Sequence, residues 1–136
     1  MNGDFSQGTI GWDTNVGVTL IGNGDDLCGV MSPSDIQLFR NVYFWTGLFE
    51  LIDGKYLFSF DIRSDRESIV KFGMVSDDIA WFDHPISVSA AEKTVEISYE
   101  HRDGSFINTG FAFLAIPHPN VNTTYCIDNF RWLVEN

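Results

Sequence analysis

Nineteen carboxylates, three histidines and two cysteines are the side chains of this sequence best suited to act on a substrate or hold a metal. None falls in a local catalytic pattern. There is no G-x-S-x-G turn to present a serine, no G-x-x-x-x-G-K-[ST] loop to cradle phosphates and no H-E-x-x-H helix to hold zinc. A carboxylate pair about 5 to 10 Å apart can cleave a glycosidic bond, but nineteen acids in so short a chain bring some pair to that distance by chance. Nothing singles out one acid as buried and apolar-flanked, although Glu50, between Phe49 and Leu51, comes closest. His84, His101 and His118 are expected in loops or at strand ends, where a lone imidazole is a solvated side chain rather than a ligand or base. Cys28 and Cys126 lie 98 positions apart, which excludes the short spacings of zinc ligands and of a redox pair. They form a disulfide or stay as two buried thiols. These residues point to a protein that is not an enzyme.

Charge narrows the partners. Nineteen acidic residues against eight basic ones give a net charge of −11, which repels phosphate backbones and anionic lipid headgroups. Nucleic acid and membrane surfaces are therefore not expected as partners, whereas a neutral ligand or a calcium ion is compatible with that field. No apolar run approaches the roughly 18 to 20 residues that span a bilayer, and no charged-then-apolar leader opens the chain. The abrupt start reads as a module cut from a longer protein. At 136 residues, 44% of them hydrophobic and twelve of them Phe, there is material for one core, and residues 1–136 are expected to fold as one domain.

The elements that must position these residues are strands. Short apolar runs of period two are broken every ten residues or so by Gly, Asp, Asn, Ser or Pro. Strands are expected at 16–21, 27–31, 36–49 (one long or two adjoining), 55–63, 68–75, 94–99, 110–116 and 125–133, about nine in all. Tyr56, Phe58, Phe60 and Ile62 share one face of their strand, as do Val70, Phe72 and Met74 of the next. The 68–75 strand should pair with its chain neighbour as a hairpin. Asp53-Gly54 and Arg102-Asp103-Gly104-Ser105 read as turns. So many strands in so little chain imply an all-β, antiparallel β-sandwich of two stacked sheets, although periodicity alone leaves a closed barrel open.

Three segments carry a family resemblance. Asn2-Gly3-Asp4-Phe5-Ser6-Gln7-Gly8 followed by Gly11-Trp12 opens the chain, Gly54-Lys55-Tyr56-Leu57-Phe58-Ser59-Phe60-Asp61 lies mid-chain, and Tyr125-Cys126-Ile127-Asp128-Asn129-Phe130-Arg131-Trp132 closes it. In that order they resemble carbohydrate-binding modules of families 4, 9 and 22, family 4 above all, which are jelly-roll sandwiches. The resemblance implies a Cys28–Cys126 disulfide and with it an extracellular destination. It also implies a structural calcium where the chain ends meet, with Asp4, Asp25 and Asp128 at matching positions. Three clustered aspartates would repel one another without a cation, the alternative being ordinary turn aspartates.

The implied function is binding of a polysaccharide or oligosaccharide (β-glucan, xylan or similar) by a monomeric module that targets an attached glycoside hydrolase. A protein-interaction or adhesion domain of the same fold is the alternative, and a small glycosidase or lyase a further one. A sugar ring offers an apolar C–H face and an equator of hydroxyls, so its groove needs flat aromatic surfaces edged by hydrogen-bonding groups. Trp12 and Trp132 are read as core. The run Val42 to Phe49 is apolar on both faces, and alignment to the family turns Trp45, with Tyr43 on the same side, toward the groove. By the same resemblance Lys71 replaces a family basic residue, Trp81 an aromatic wall and Asp77 an amide, with Asp83 and His84 at the edge. The family's groove-lining glutamines fall on Gly110 and Leu114, so the floor lacks amides that would read hydroxyl orientation.

Overall fold

Alternating side chains resolve into eleven strands in the computed structural model, numbered in chain order, with no helix among the described residues. The structure describes residues 12–14, 18–22, 27–31, 42–46, 49–75, 80–115 and 121–135, and of residues 12–14, 18–22, 31, 42–46 and 80–83 the backbone alone. One sheet runs in the order β1 (Trp12–Thr14), β4 (Val42–Thr46), β10 (Phe106–Ala115), β7 (Ser68–Val75) and β8 (Ala80–Val88). β5 (Phe49–Leu51) pairs with the first half of β10. The other sheet runs β2 (Val18–Gly22), β3 (Leu27–Met31), β11 (Thr123–Glu135), β6 (Gly54–Ser64) and β9 (Lys93–His101). Every described pairing is antiparallel. Two sheets with separate edges decide for the sandwich over the closed barrel.

Period two fills the space between the sheets. Tyr56, Phe58, Phe60 and Ile62 of β6 face Val70, Phe72 and Met74 of β7 and Phe111, Phe113 and Ala115 of β10 in one core. Rings interlock across it: Phe58 lies 4.8 Å from Phe111, and Phe60 4.9 Å from Phe113, both edge to face. Burying each such side chain contributes roughly 1.5 to 3 kcal/mol, and each well-oriented ring pair roughly 0.5 to 1.5 kcal/mol more. The Tyr56 hydroxyl donates to the Ile52 carbonyl at 2.7 Å and accepts from its amide at 3.1 Å, pinning the Asp53-Gly54 turn that starts β6.

One extra residue in β11 changes which side chains reach the core. The β11–β6 ladder runs to Asp128↔Asp61 and resumes at Arg131↔Ser59, a bulge in which Asn129 takes φ +51°. Before it Tyr125 and Ile127 point inward; after it Phe130 does, and Trp132 follows as a half-buried side chain. Trp132 packs 5.2 Å from Phe111 and 5.5 Å from Phe49, in line with its reading as core.

Several sequence expectations are amended. The segment 80–88, which has no expected strand, is the edge strand β8; the Asp83-His84-Pro85 run that breaks the apolar pattern is tolerated because an edge accepts proline and a bulge. β7 forms its hairpin with β8, while the preceding β6 belongs to the opposite sheet. His101 is not a solvated side chain: it is buried, with Nδ1 3.1 Å from the Tyr99 hydroxyl and Nε2 2.6 Å from the Gly104 carbonyl. Gly104, at φ +86°, holds the turn into β10 and donates its amide to Asp53 Oδ1 at 2.9 Å.

Candidate functional site

Residues directly opposite in an antiparallel ladder share a face, so the register of the first sheet sorts its side chains into rows. Phe111 and Phe113 belong to the core, which assigns Gly110, Ala112 and Leu114 of β10 to the outer row. Following the pairs from Ala112 gives one register row, Asp13, Trp45, Ala112, Gly73 and Phe82. Following them from Leu114 gives a second, Tyr43, Leu114, Lys71 and Pro85. Gly73, Gly110 and Ala112 are buried, with Ala112 at 0% exposure although it alternates with core residues. Small residues thus occupy the middle of the sheet in this row and the next, with aromatic positions in register on either side. Lys71 and Pro85 are exposed in the next row.

The ladder brings Trp45 and Tyr43 into adjacent rows with Lys71, and both floor positions, Gly110 and Leu114, onto the same face. Trp81 is in register with Met74, which belongs to the core row with Phe111, and Phe82 is the residue in register with Gly73. The reason is the bulge: Phe72 pairs with His84 and Gly73 with Phe82, leaving Asp83 as the extra residue. His84 is half-buried. Asp77 lies outside the described residues.

The expected disulfide is formed. Cys28 and Cys126 are directly opposite in the β3–β11 ladder, with an S–S distance of 2.02 Å and Cα atoms 4.1 Å apart. Of the three aspartates expected to hold calcium, Asp4 and Asp25 lie outside the described residues. Asp128 is half-buried at the β11 bulge, where its Oδ1 accepts the Asn129 amide at 2.7 Å. Among the described residues no group of three or more His, Cys, Asp or Glu could hold a metal.

The outer face of the second sheet carries a feature that the sequence reading passed over. A depression of about 550 Å³ is lined by Leu57, Ser59, Glu96, Ser98, Arg131 and Leu133. Beside it the Asp61 carboxylate accepts from Thr94 Oγ1 at 2.6 Å and from Asn129 Nδ2 at 2.9 Å. The Asn129 bond, then the Thr94 bond, and the charge of Arg131 hold the Asp61 carboxyl below its usual value of 3.8, against an opposing contribution from burial. The signal in the sequence was the alternation of Thr94, Glu96, Ser98 and Glu100 with Val95, Ile97 and Tyr99, which marks a polar outer row.

No family model matches this sequence, and no curated protein does. Solved structures do. A structure described as CBM4 superposes with a TM-score of 0.72 at 13% identity, covering 96% of this chain and 99% of its own. The N-terminal cellulose-binding domain of a β-1,4-glucanase C from Cellulomonas fimi gives 0.72 at 15% identity, over 97% of this chain and 93% of that one. An arabinose-bound α-L-arabinofuranosidase gives 0.70 at 11% identity, over 98% of this chain but 26% of that enzyme. At these identities the likeness is one of fold. Along nearly its whole length, this chain has the antiparallel sandwich fold of family 4 carbohydrate-binding modules.

Proposed function

We propose that the outer face of the β1–β4–β10–β7–β8 sheet binds a polysaccharide such as β-glucan or xylan without acting on it. The observation that carries this reading is the register row in which Ala112 and Gly73 separate the positions of Trp45 and Phe82. A pyranose ring can lie over such small residues with aromatic groups against its C–H faces, and Lys71 of the next row can donate to its hydroxyls. Phe82, in register with Trp45, takes the wall role that the sequence reading gave to Trp81. Tyr43 extends the apolar strip, and Asp77 and Asp83 stand as candidates for its rim, whereas His84 is in register with the core residue Phe72. The fold likeness supports the same reading.

The floor has no side-chain amide at Gly110, Ala112 or Leu114, so recognition rests on shape and stacking more than on hydroxyl orientation. An open groove of this kind gives a Kd of roughly 1 µM to 1 mM. The test is affinity electrophoresis in gels containing β-glucan, xylan or mannan: the protein is retarded, Trp45→Ala and Lys71→Ala release it, and unchanged mobility in both variants overturns the reading.

The module would tether a secreted hydrolase and raise its local substrate concentration. The quarter-length match within the arabinofuranosidase supports that arrangement, and the disulfide supports an oxidising, extracellular setting. Calcium held by Asp4, Asp25 and Asp128 belongs to the same proposal. It is supported by the β3–β11 ladder, whose pair Leu27↔Ile127 stands next to Asp128 and two residues along the chain from Asp25. Chelation should then lower the melting temperature, and Asp128→Ala should abolish the chelator's effect.

A further inference from the structure

The two sheets end differently at their outer strands. β8, one edge of the first sheet, carries Pro85 and the Asp83 bulge, both devices that keep a strand edge from pairing with another chain. β9, one edge of the second, has neither. It pairs with β6 through nine unbroken positions, from Ile62↔Lys93 to Gly54↔His101, and no described strand pairs its other side. Its inward residues Val95, Ile97 and Tyr99 are only half-buried, as expected where the sheet stops. A strand of this length, unbroken in register and with no described strand on its other side, is a template for another strand.

We infer that the occupant of this edge is a second copy of the same strand, paired antiparallel about a two-fold axis through Ile97. Only even slips keep core-side residues opposite core-side residues. With Ile97 opposite its symmetry mate, Glu96 faces Ser98, Val95 faces Tyr99, Thr94 faces Glu100 and Lys93 faces His101 across the pair. No like charges are opposed, and beyond the strand ends Glu92 faces Arg102, which holds Glu100 of its own chain at 2.9 Å. A slip of two residues one way sets Glu96 against Glu96, and the other way sets Glu96 against Glu100. A slip of four leaves only residues 93–97 or 97–101 in the ladder. The charge pattern of β9 therefore selects one full-length register, and the two halves of the strand are complementary to each other.

An axis normal to the sheet leaves both copies the same way up. The outer faces of both β4–β10–β7–β8 sheets then lie on one side of a continuous ten-stranded layer. If the proposed glycan reading holds, the pair meets a polymer surface with two grooves at once, and its binding gains from the high effective concentration of the second site. The self-pairing itself does not depend on that reading, and it is an alternative to the monomer expected from sequence.

Sedimentation equilibrium of the 136-residue chain without glycan tests it. The average mass should rise from monomer toward dimer between about 10 µM and 1 mM, a range typical of weak, small interfaces. Ser98 is exposed, so charges are tolerated there. Two residue-98/Glu96 contacts per dimer should make Ser98→Lys bind itself roughly tenfold more tightly and Ser98→Glu roughly tenfold less. A wild-type mass that stays monomeric throughout, or variants that shift association equally, overturns the inference. Because no glycan is present, failure here leaves the carbohydrate reading untouched, and loss of glycan retention leaves the dimer untouched.

Discussion

Asn129 reaches across the β11–β6 ladder to donate its side-chain amide to Asp61 Oδ2, at the residue whose left-handed backbone, φ +51°, makes the β11 bulge. One side chain thus supports both the outward polar network and the shift that turns Phe130 and Trp132 toward the core. Asn tolerates that backbone region better than any residue except glycine. Asn129→Ala should cost roughly 2 kcal/mol, from backbone strain and the lost bond together, and Asn129→Gly less. Urea melts of the two variants check this, and equal losses would place the whole effect in the hydrogen bond.

The same pair sets an acid response. In the folded protein the Asp61 carboxyl binds its proton less readily than the usual value of 3.8 implies, so the unfolded chain takes up more protons on acidification. Its stabilising contribution is complete above about pH 4 to 5 and is lost as pH falls through the lowered folded value. Thermal melts between neutral and acid pH should show a shallower acid loss in Asn129→Ala than in the wild type.

Tyrosines govern the alkaline side. Burial raises the ionisation of Tyr56, Tyr99 and Tyr125 above 10.0, and for Tyr125 the hydrogen bond from Ser68 at 2.9 Å offsets part of that rise. Folded pKa values above unfolded ones mean stability that is whole below about pH 10 and lost as pH rises through the folded values. Titration of the tyrosinate absorbance should run to higher pH in the native protein than in denaturant.

Reduction should be costly. A bridge closing a loop of 98 residues stabilises by roughly 4 to 5 kcal/mol in the chain-entropy account. The double variant Cys28→Ser/Cys126→Ser should melt roughly 10 to 20 °C lower in calorimetry. A shift of a degree or two would show that the β3–β11 ladder holds without the bridge.

Register separates two adjacent aromatics. Phe82 is in register with Gly73, in the row of Ala112 and Trp45, and Trp81 is paired with the core residue Met74. Phe82→Ala should therefore weaken glycan retention with little change in melting temperature, and Trp81→Ala should lower the melting temperature by several degrees. The reverse pattern in gels and melts would return the wall role to Trp81.

How far each of these was legible depends on the physics involved. The faces of β6 and β7 followed from period two, because Tyr56, Phe58, Phe60, Val70 and Phe72 alternate without a break, and the core accepts them as read. Bulges were not legible, since an inserted residue leaves the composition unchanged while reversing every later side chain. That is why β11 reads as one uniform strand and why Trp81 and Phe82 exchange rows. β8 was hidden by Pro85, whose acceptability depends on the strand's being at an edge, a fact of tertiary pairing. His101 was missed because its partners, Tyr99 and the Gly104 carbonyl, become partners only once the turn after β9 closes. The disulfide needed the family resemblance, since spacing alone left free thiols open.

β11 follows the ten other described strands in sequence and lies between β3 and β6 in the middle of its sheet. Until it has been synthesised, β2–β3 and β6–β9 are two separate ribbons with no shared layer, and Cys28 has no thiol to meet. Closure of this half of the molecule is thus a late, long-range event, which favours slow folding and leaves a nascent chain with open strand edges exposed to aggregation.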